Sequence, residues 1–174
     1  MKAGKTTILI YFFVLVLLLL SACSQKPEFE QYEGNALEIA VVGEPPNIRE
    51  EQVEFKEISL EEVKEQNIDS YDGVFIMNEY LSQASRDSYA GIYSTSSIPF
   101  FFISAKSHVP FIMKDSVFED SWEWSPGTNY TVGILDAKKD GSLTTFGYGL
   151  NNDEKTEDSV KGMYSAVFKK VEEY

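Results

Sequence analysis

Three short apolar runs that alternate with helical patterns constrain the fold of this chain more than any other feature. Residues 37–43, 73–77 and 98–103 are nearly continuous in aliphatic or aromatic side chains. Runs of this length and composition are typical of strands that are buried on both faces of a sheet. Because helices are predicted between them, the chain should form a layered α/β domain with a largely parallel sheet.

The segment after the first run predicts an edge strand and then a helix. Residues 53–58 alternate apolar with charged side chains, so one face of this strand should lie in water. Ser59 and Glu62 have the spacing of a capping box, in which each side chain accepts a hydrogen bond from the backbone of the other. Leu60 and Val63 should then face the core.

The C-terminal half predicts two further helices, a short strand and a hairpin. A helix is expected over residues 79–93 and a strand over residues 109–113. Residues 130–135 and 142–148 flank a turn-rich connection and are typical of a β-hairpin. The last helix has the strongest pattern, since a Thr156 cap precedes an apolar stripe at helical spacing. The stripe consists of Val160, Met163, Tyr164, Val167, Phe168 and Val171.

Two known layouts resemble parts of this pattern. The Asp-Gly-Val-Phe-Ile entry into the strand at residues 73–77 is similar to that of many flavodoxin-like open sheets. The hairpin and terminal helix resemble the closing half of thioredoxin-like domains, although the redox pair Cys-x-x-Cys is absent. The sequence therefore predicts an α/β layered sandwich with a mostly parallel sheet, a C-terminal antiparallel hairpin and a covering C-terminal helix, in a flavodoxin-like or thioredoxin-like layout.

The first 23 residues have the order of a secretory signal. Lys2 and Lys5 supply positive charge, an apolar run of 13 residues follows at 8–20, and Leu-Ser-Ala-Cys comes directly after it. The run is shorter than the roughly 20 residues of a transmembrane helix. The ending resembles the lipobox of bacterial lipoproteins, which implies cleavage after Ala22 and a lipid on Cys23. That resemblance predicts a protein held in the cell membrane by lipid and facing the extracytoplasmic side.

The predicted mature chain divides into a tether and one domain. Residues 1–22 are the signal peptide, residues 23–35 are the lipidated cysteine with a polar tether, and residues 36–174 form a single α/β domain. Since both leader lysines are removed, 13 basic residues stand against 28 acidic ones, a net charge of −15. Such a charge disfavours nucleic acid as a partner. The predicted contact with the membrane is therefore the lipid on Cys23.

Candidate catalytic side chains follow the predicted strands, where open α/β sheets bind ligands. Glu44 follows the first strand, Glu79 follows the third, and Ser104, Lys106 and His108 follow the fourth. His108 is the only histidine, so it alone titrates near neutral pH without perturbation. No Gly-x-Ser-x-Gly motif supports a nucleophilic serine. A single histidine in a polar loop is more often simply exposed than catalytic.

Metal and cofactor sites are not expected. One histidine and a lipidated cysteine cannot form a zinc site. The turn at residues 136–141 resembles a calcium loop only superficially, because Lys138 and Gly147 occupy positions that require oxygen ligands. The turn after the first strand carries Glu44 and two prolines, which disfavours phosphate and therefore nucleotide or flavin cofactors.

Two tryptophans lie among acidic residues in a segment without periodicity. Trp122 and Trp124 could anchor a partner such as an envelope protein or a glycan. The alternative, which is the more common fate of large aromatic side chains, is that both cover the open end of the core.

Two functions remain open from the sequence. The first is a non-catalytic binding or accessory lipoprotein of the cell envelope. The second is a small hydrolase-like enzyme with its site around His108. A deep pocket that joins Glu44, Glu79, Ser104, Lys106 and His108 would support the enzyme, whereas strand ends capped by packed loops would support the binding protein.

Overall fold

A six-stranded mixed sheet forms the centre of the molecule, in the order β2-β1-β3-β4-β5-β6. The computed structural model describes residues 29–48, 50–65, 67–136 and 142–174. The strands are β1 (Leu37–Val42), β2 (Val53–Ile58), β3 (Gly73–Ile76), β4 (Phe100–Ile103), β5 (Thr131–Asp136) and β6 (Leu143–Tyr148). Strands β1 to β4 pair in parallel, and β5 and β6 pair antiparallel to their neighbours.

Helices cover both faces of this sheet. They are α1 (Leu60–Lys64), α2 (Leu81–Ala84), α3 (Asp87–Thr95), α4 (Val109–Ile112) and α5 (Glu157–Val171), with short 3₁₀ turns at Asn78–Tyr80, Asp120–Trp122 and Asn151–Asp153. The predicted α/β layered sandwich with an antiparallel hairpin and a covering terminal helix is confirmed. Its parallel part has the 2-1-3-4 strand order of flavodoxin-like sheets.

The two crossovers next to β1 run over opposite faces. The described part of the β1–β2 connection contains no helix. It crosses the face that α5 covers, where the Ser165 hydroxyl donates a hydrogen bond to Glu50 Oε1 at 3.0 Å. The β2–β3 connection contains α1 and crosses the other face. Because the two crossovers also run in opposite directions along the sheet, both keep the same handedness. The strand order therefore reverses between β1 and β3.

The first face of the sheet packs against α1 to α4. Phe102 of β4 stacks on Phe111 of α4 with ring centroids 3.7 Å apart. Tyr93 of α3 meets Phe102 edge-on at 5.0 Å and donates a hydrogen bond from its hydroxyl to the Ala84 carbonyl at 2.9 Å. This face is therefore closed by interlocking aromatic rings.

Among the helices that the structure describes, only α5 packs against the second face. The Thr156 hydroxyl caps α5 by accepting a hydrogen bond from the Ser159 amide at 3.1 Å. Phe168 lies at the middle of the buried stripe and stacks on Phe75 of β3 with centroids 6.0 Å apart. The predicted cap and the predicted stripe of this helix are both confirmed.

Residues 29–35 lie along α5, and we call them the strap. Tyr32 is only 1% exposed and packs against Phe168 at 5.8 Å. The strap differs from the extended tether that the polar sequence predicted for this stretch. The reason is that two aromatic side chains, Phe29 and Tyr32, find apolar partners on α5 that the strap's own composition does not reveal.

Two local predictions were wrong in the C-terminal half. Residues 109–113, predicted as a strand, contain helix α4, because Pro110 starts a turn and Phe111 is drawn onto Phe102. The helix predicted over residues 79–93 is broken into a 3₁₀ turn, α2 and α3. The break falls at Ser85, whose hydroxyl accepts a hydrogen bond from the Phe118 amide at 2.8 Å.

The hairpin turn and the possibility of a membrane-spanning helix complete the description of the fold. The turn of the confirmed hairpin, including Lys138, lies outside the described residues. Across the part of the chain that the structure describes, none of the helices is long and apolar enough to cross a membrane.

Candidate functional site

A cleft of about 600 Å³ opens at the carboxyl ends of β3 and β4. Its walls are the β1–β2 connection, the ends of these two strands and the first turns of α5. We call it the strand-end cleft, and it is lined by Pro46, Asn47, Ile48, Met77, Asn78, Glu79, Ile103, Ser104, Tyr130, Lys155, Thr156, Glu157, Val160, Lys161 and Tyr164. It lies beside the point where the strand order reverses, which is where open α/β sheets bind ligands.

The turn after β1 is fixed against the turn after β3. The Glu79 carboxylate accepts a hydrogen bond from the Glu44 amide at 3.0 Å. Gly43 has a φ of +114°, and a Cβ there would overlap the Glu79 carboxylate and lie 2.8 Å from Cβ of Met77. Only glycine fits this position, because both the backbone angle and the space exclude a side chain. Two predicted site residues, Glu44 and Glu79, are thereby brought together.

Ser104 lies at the end of β4 in a backbone conformation that is rare for serine. Its φ is +71°, and the conformation is held from both sides. The Ser104 amide donates to the Tyr130 carbonyl at 2.7 Å, and the Ser104 carbonyl accepts from the Trp124 amide at 2.9 Å. Such strain persists only where the surroundings impose it, and it is common in functional sites. The constraint places Ser104 in the wall of the cleft.

The residues around the N-terminus of α5, from Lys155 to Lys161, supply most of the charged wall of the cleft. Lys161 pairs with Glu157 at 2.6 Å, and Lys155 lies over the Tyr130 ring with its Nζ 5.2 Å from the centroid. Glu157 and Asp158 already place negative charge at the helix N-terminus. A phosphate there would meet these carboxylates, so the geometry favours a ligand without a strong negative charge.

Tyr164 forms part of the cleft wall from the next turn of α5. Burial raises the pKa of its phenol, and the nearby Tyr130 and Glu79 raise the pKa further. The phenol therefore stays protonated at neutral pH and can donate a hydrogen bond. Ile48, Met77 and Val160 line the same space, so the cleft combines apolar surface with a few polar groups, as small-molecule sites do.

Lys106 and His108 do not line the strand-end cleft. Lys106 is tied through its backbone, since its amide donates to the Trp122 carbonyl at 3.0 Å. His108 directly precedes α4, is half-buried, and has a pKa lowered by that burial, so its imidazole is neutral at pH 7. Of the five predicted catalytic candidates, the structure brings Glu79 and Ser104 into the cleft and leaves Glu44, Lys106 and His108 outside its lining.

Both tryptophans fold back onto the core. Trp122 packs against the first-face core and Trp124 against the second-face core. Trp124 meets Tyr130 edge-on at 5.7 Å, and its buried indole N–H finds no hydrogen-bond partner among the described residues. A backbone bridge between Ala105 and Glu123 fixes the segment on the end of β4. The arrangement is that of a cover over the core and not of an exposed binding patch.

The residues of the cleft that sequence reasoning missed come mainly from α5. Lys155, Glu157 and Lys161 were not singled out, although the Thr156 cap marked where this helix begins. Among the described residues, no group of three or more acidic or histidine side chains could hold a metal ion.

Comparison with known proteins adds no relative. No protein-family model, no curated protein and no solved structure matches this chain.

Proposed function

We propose that this protein is a membrane-anchored extracytoplasmic lipoprotein that binds a small ligand in the strand-end cleft without transforming it. The observation that carries the proposal is the cleft itself, an open space of about 600 Å³ with an apolar wall and a few polar groups. The lipobox-like ending at Cys23 supports the anchor, and the acidic mature surface supports the absence of nucleic acid among its partners.

The distribution of the predicted catalytic residues favours binding over catalysis. Nucleophilic catalysis by Ser104 would need a base within hydrogen-bond reach. His108 lies outside the cleft, directly before α4, and Glu79, an acidic residue that does line the cleft, already accepts a hydrogen bond from the Glu44 amide. The hydrolase-like alternative around His108 is therefore the weaker of the two hypotheses.

The tryptophans are a less suitable partner surface than the cleft. Both contribute to the two cores, so a partner that displaced them would expose apolar surface. We therefore place the binding function in the cleft and assign the tryptophans a covering role.

Native mass spectrometry of the protein, extracted gently from its own membrane, tests this proposal. Val160→Trp fills the cleft with an indole, and Val117→Trp is the matched control because Val117 is 51% exposed in a loop away from it. We expect a non-covalent adduct in the unaltered protein and in Val117→Trp, and its loss in Val160→Trp. An adduct that survives in Val160→Trp, or no adduct at all, would refute binding in the cleft.

The same purified protein is used to test the lipid anchor. The mass of the N-terminal peptide should correspond to Cys23 with its acyl chains, and Cys23→Ala should remove lipid labelling. Lipid labelling that persists in Cys23→Ala would disprove the assignment.

A further inference from the structure

The strap brings the chain into the domain beside the strand-end cleft. A Cβ on Gly162 of α5 would overlap the ring of Phe29, so these two residues are in close contact. Gly162 directly follows Lys161, which lines the cleft. The strap then runs along the helix, with Glu30 paired to Lys169 at 2.9 Å and the Asn35 amide bonded to Glu172 Oε1 at 2.9 Å.

The strap therefore runs from the carboxyl ends of the parallel strands to their amino ends, where β1 begins. The C-terminal end of α5 lies at the amino ends of these strands. Gly73 is the first residue of β3, and a Cβ there would lie 3.5 Å from Val171 Cγ2. An anchor attached before residue 29 is therefore connected to the domain on the side where the cleft opens.

The number of residues between the anchor and the strap sets how far the cleft can stand from the bilayer. Cys23 precedes Phe29 by six residues, which can span at most about 20 Å when fully extended. A tether that ran to residue 35 would allow about 40 Å instead. A domain of this size is itself roughly 40 Å across. With the strap docked, this short tether keeps the cleft side within about 20 Å of the membrane. We expect the amino ends of the parallel strands, at the other end of α5, to point away from it.

We propose that the strap holds the strand-end cleft open toward the membrane surface, where it takes up an amphiphile whose polar end has no net charge. This inference rests on the proposed function, because it needs both the lipid on Cys23 and binding in the cleft.

The lining of the cleft fits that class of ligand. Ile48, Met77, Ile103 and Val160 offer apolar contacts, and the charged residues balance, with Glu79 and Glu157 against Lys155 and Lys161. An apolar chain can pack against the first set, while a neutral or zwitterionic headgroup meets the second. The membrane interface is the nearest source of such molecules.

Energy transfer to the membrane tests the orientation. A donor dye is attached to a cysteine at one of two exposed positions. Asp158→Cys lies next to the cleft, and Ser97→Cys lies at the amino end of β4, on the far side of the domain from the cleft. In the lipidated protein each introduced thiol is the only free one, because the Cys23 sulfur carries the lipid. The full mature protein is bound to phosphatidylcholine vesicles that contain an acceptor on the lipid headgroup.

We expect several-fold stronger transfer from position 158 than from position 97. Phe29→Ser combined with Tyr32→Ser should release the strap from α5, and the transfer efficiencies from positions 158 and 97 should then become similar. Equal transfer in the protein with its strap intact, or stronger transfer from position 97, would overturn the orientation.

A separate measurement identifies the class of ligand. The natively purified protein is denatured, and the compound that it releases is extracted with chloroform and water. Recovery of that compound in the organic phase of a chloroform extraction supports an amphiphile, and recovery in the aqueous phase contradicts it. Absence of lipid on Cys23, or absence of any adduct, refutes the proposed function as well. Lipid and adduct present with equal energy transfer refute this inference alone.

Discussion

The two faces of the sheet are covered in different ways. Four short helices and Trp122 close the first face, where Phe102 and Phe111 stack at 3.7 Å. One long helix, α5, covers the second face, and the strap and the β1–β2 connection fill in beside it. A single helix is about 10 Å wide with its side chains, so it cannot cover six strands. Where neither neighbour reaches, at the carboxyl ends of β3 and β4, the cleft remains open.

The first face is a closed core, whereas the second face contains both a core and the candidate ligand site. On the first face, every aromatic ring that we describe meets another ring or an aliphatic core residue. On the second face, the same helix that buries Phe168 also carries Val160, Lys161 and Tyr164 into the cleft wall. Substitutions on α5 should therefore separate into those that unfold the domain and those that empty the cleft.

The largest expected effect compares the two cores directly. Phe168→Ala and Phe102→Ala each remove a ring that is fully buried. Each should lower the free energy of unfolding by about 3–5 kcal/mol in a urea titration. A loss below about 1 kcal/mol for Phe168→Ala would show that the α5 stripe is not part of the core.

The covering role of the tryptophan segment predicts the next largest effect. Trp124→Ala should cost about 2–3 kcal/mol, because the half-buried indole packs on Tyr130. Trp124→Phe keeps an aromatic ring and removes the buried N–H that has no partner, so it should cost much less. Thermal melts of both variants give the answer. An unchanged melt for Trp124→Ala, together with a lost adduct, would return the binding role to the tryptophans.

The contact between the strap and α5 predicts a reversal of sign at Gly162. In a helix interior, Gly→Ala is normally stabilising by about 1 kcal/mol. In the unaltered chain, Gly162→Ala should instead destabilise, because its Cβ overlaps the Phe29 ring. In a Phe29→Ala background the ring is absent, and Gly162→Ala should stabilise. If denaturant titrations give the same sign in both backgrounds, the strap does not dock on Gly162.

The smallest expected effect is a pH dependence within the strap. The hydrogen bond and charge of Lys169 hold the pKa of Glu30 below its ordinary value. The ionised carboxylate therefore stabilises the folded state above its ordinary pKa, and this contribution is lost as pH falls through the lowered pKa. Glu30→Gln should make the acid decline of stability shallower. Parallel acid titrations of the unfolding free energy would show a difference, and identical curves would argue against the pair.

Much of the second face could be predicted from the sequence, because its elements have strong periodicity. The α5 stripe and the Thr156 cap follow from helical spacing, and the hairpin follows from its turn-rich connection. The strap could not be predicted, because burial of Tyr32 depends on Phe168, which lies 136 positions later in the chain. Helix α4 was mistaken for a strand because four apolar residues have no period that separates the two states.

The candidate site was predicted in part, for a related reason. Strand ends can be recognised in the sequence, so the sequence predicts Glu79 and Ser104 as site residues, and both line the cleft. The left-handed backbone of Ser104 and the contribution of Lys161 arise from tertiary contacts that no local pattern reports. His108 was predicted from its chemistry and from its place after β4, but it directly precedes α4 and does not line the cleft.

A high-resolution crystal structure of the protein, purified natively from its own membrane, tests the central claim most directly. The claim is that the opening left by α5 on the second face is a ligand site. The account predicts ordered density for a bound molecule between Ser104, Val160 and Tyr164, with the two tryptophans packed on the core as described. Side chains that fill the cleft, or ligand density at Trp122 and Trp124 instead, would contradict it.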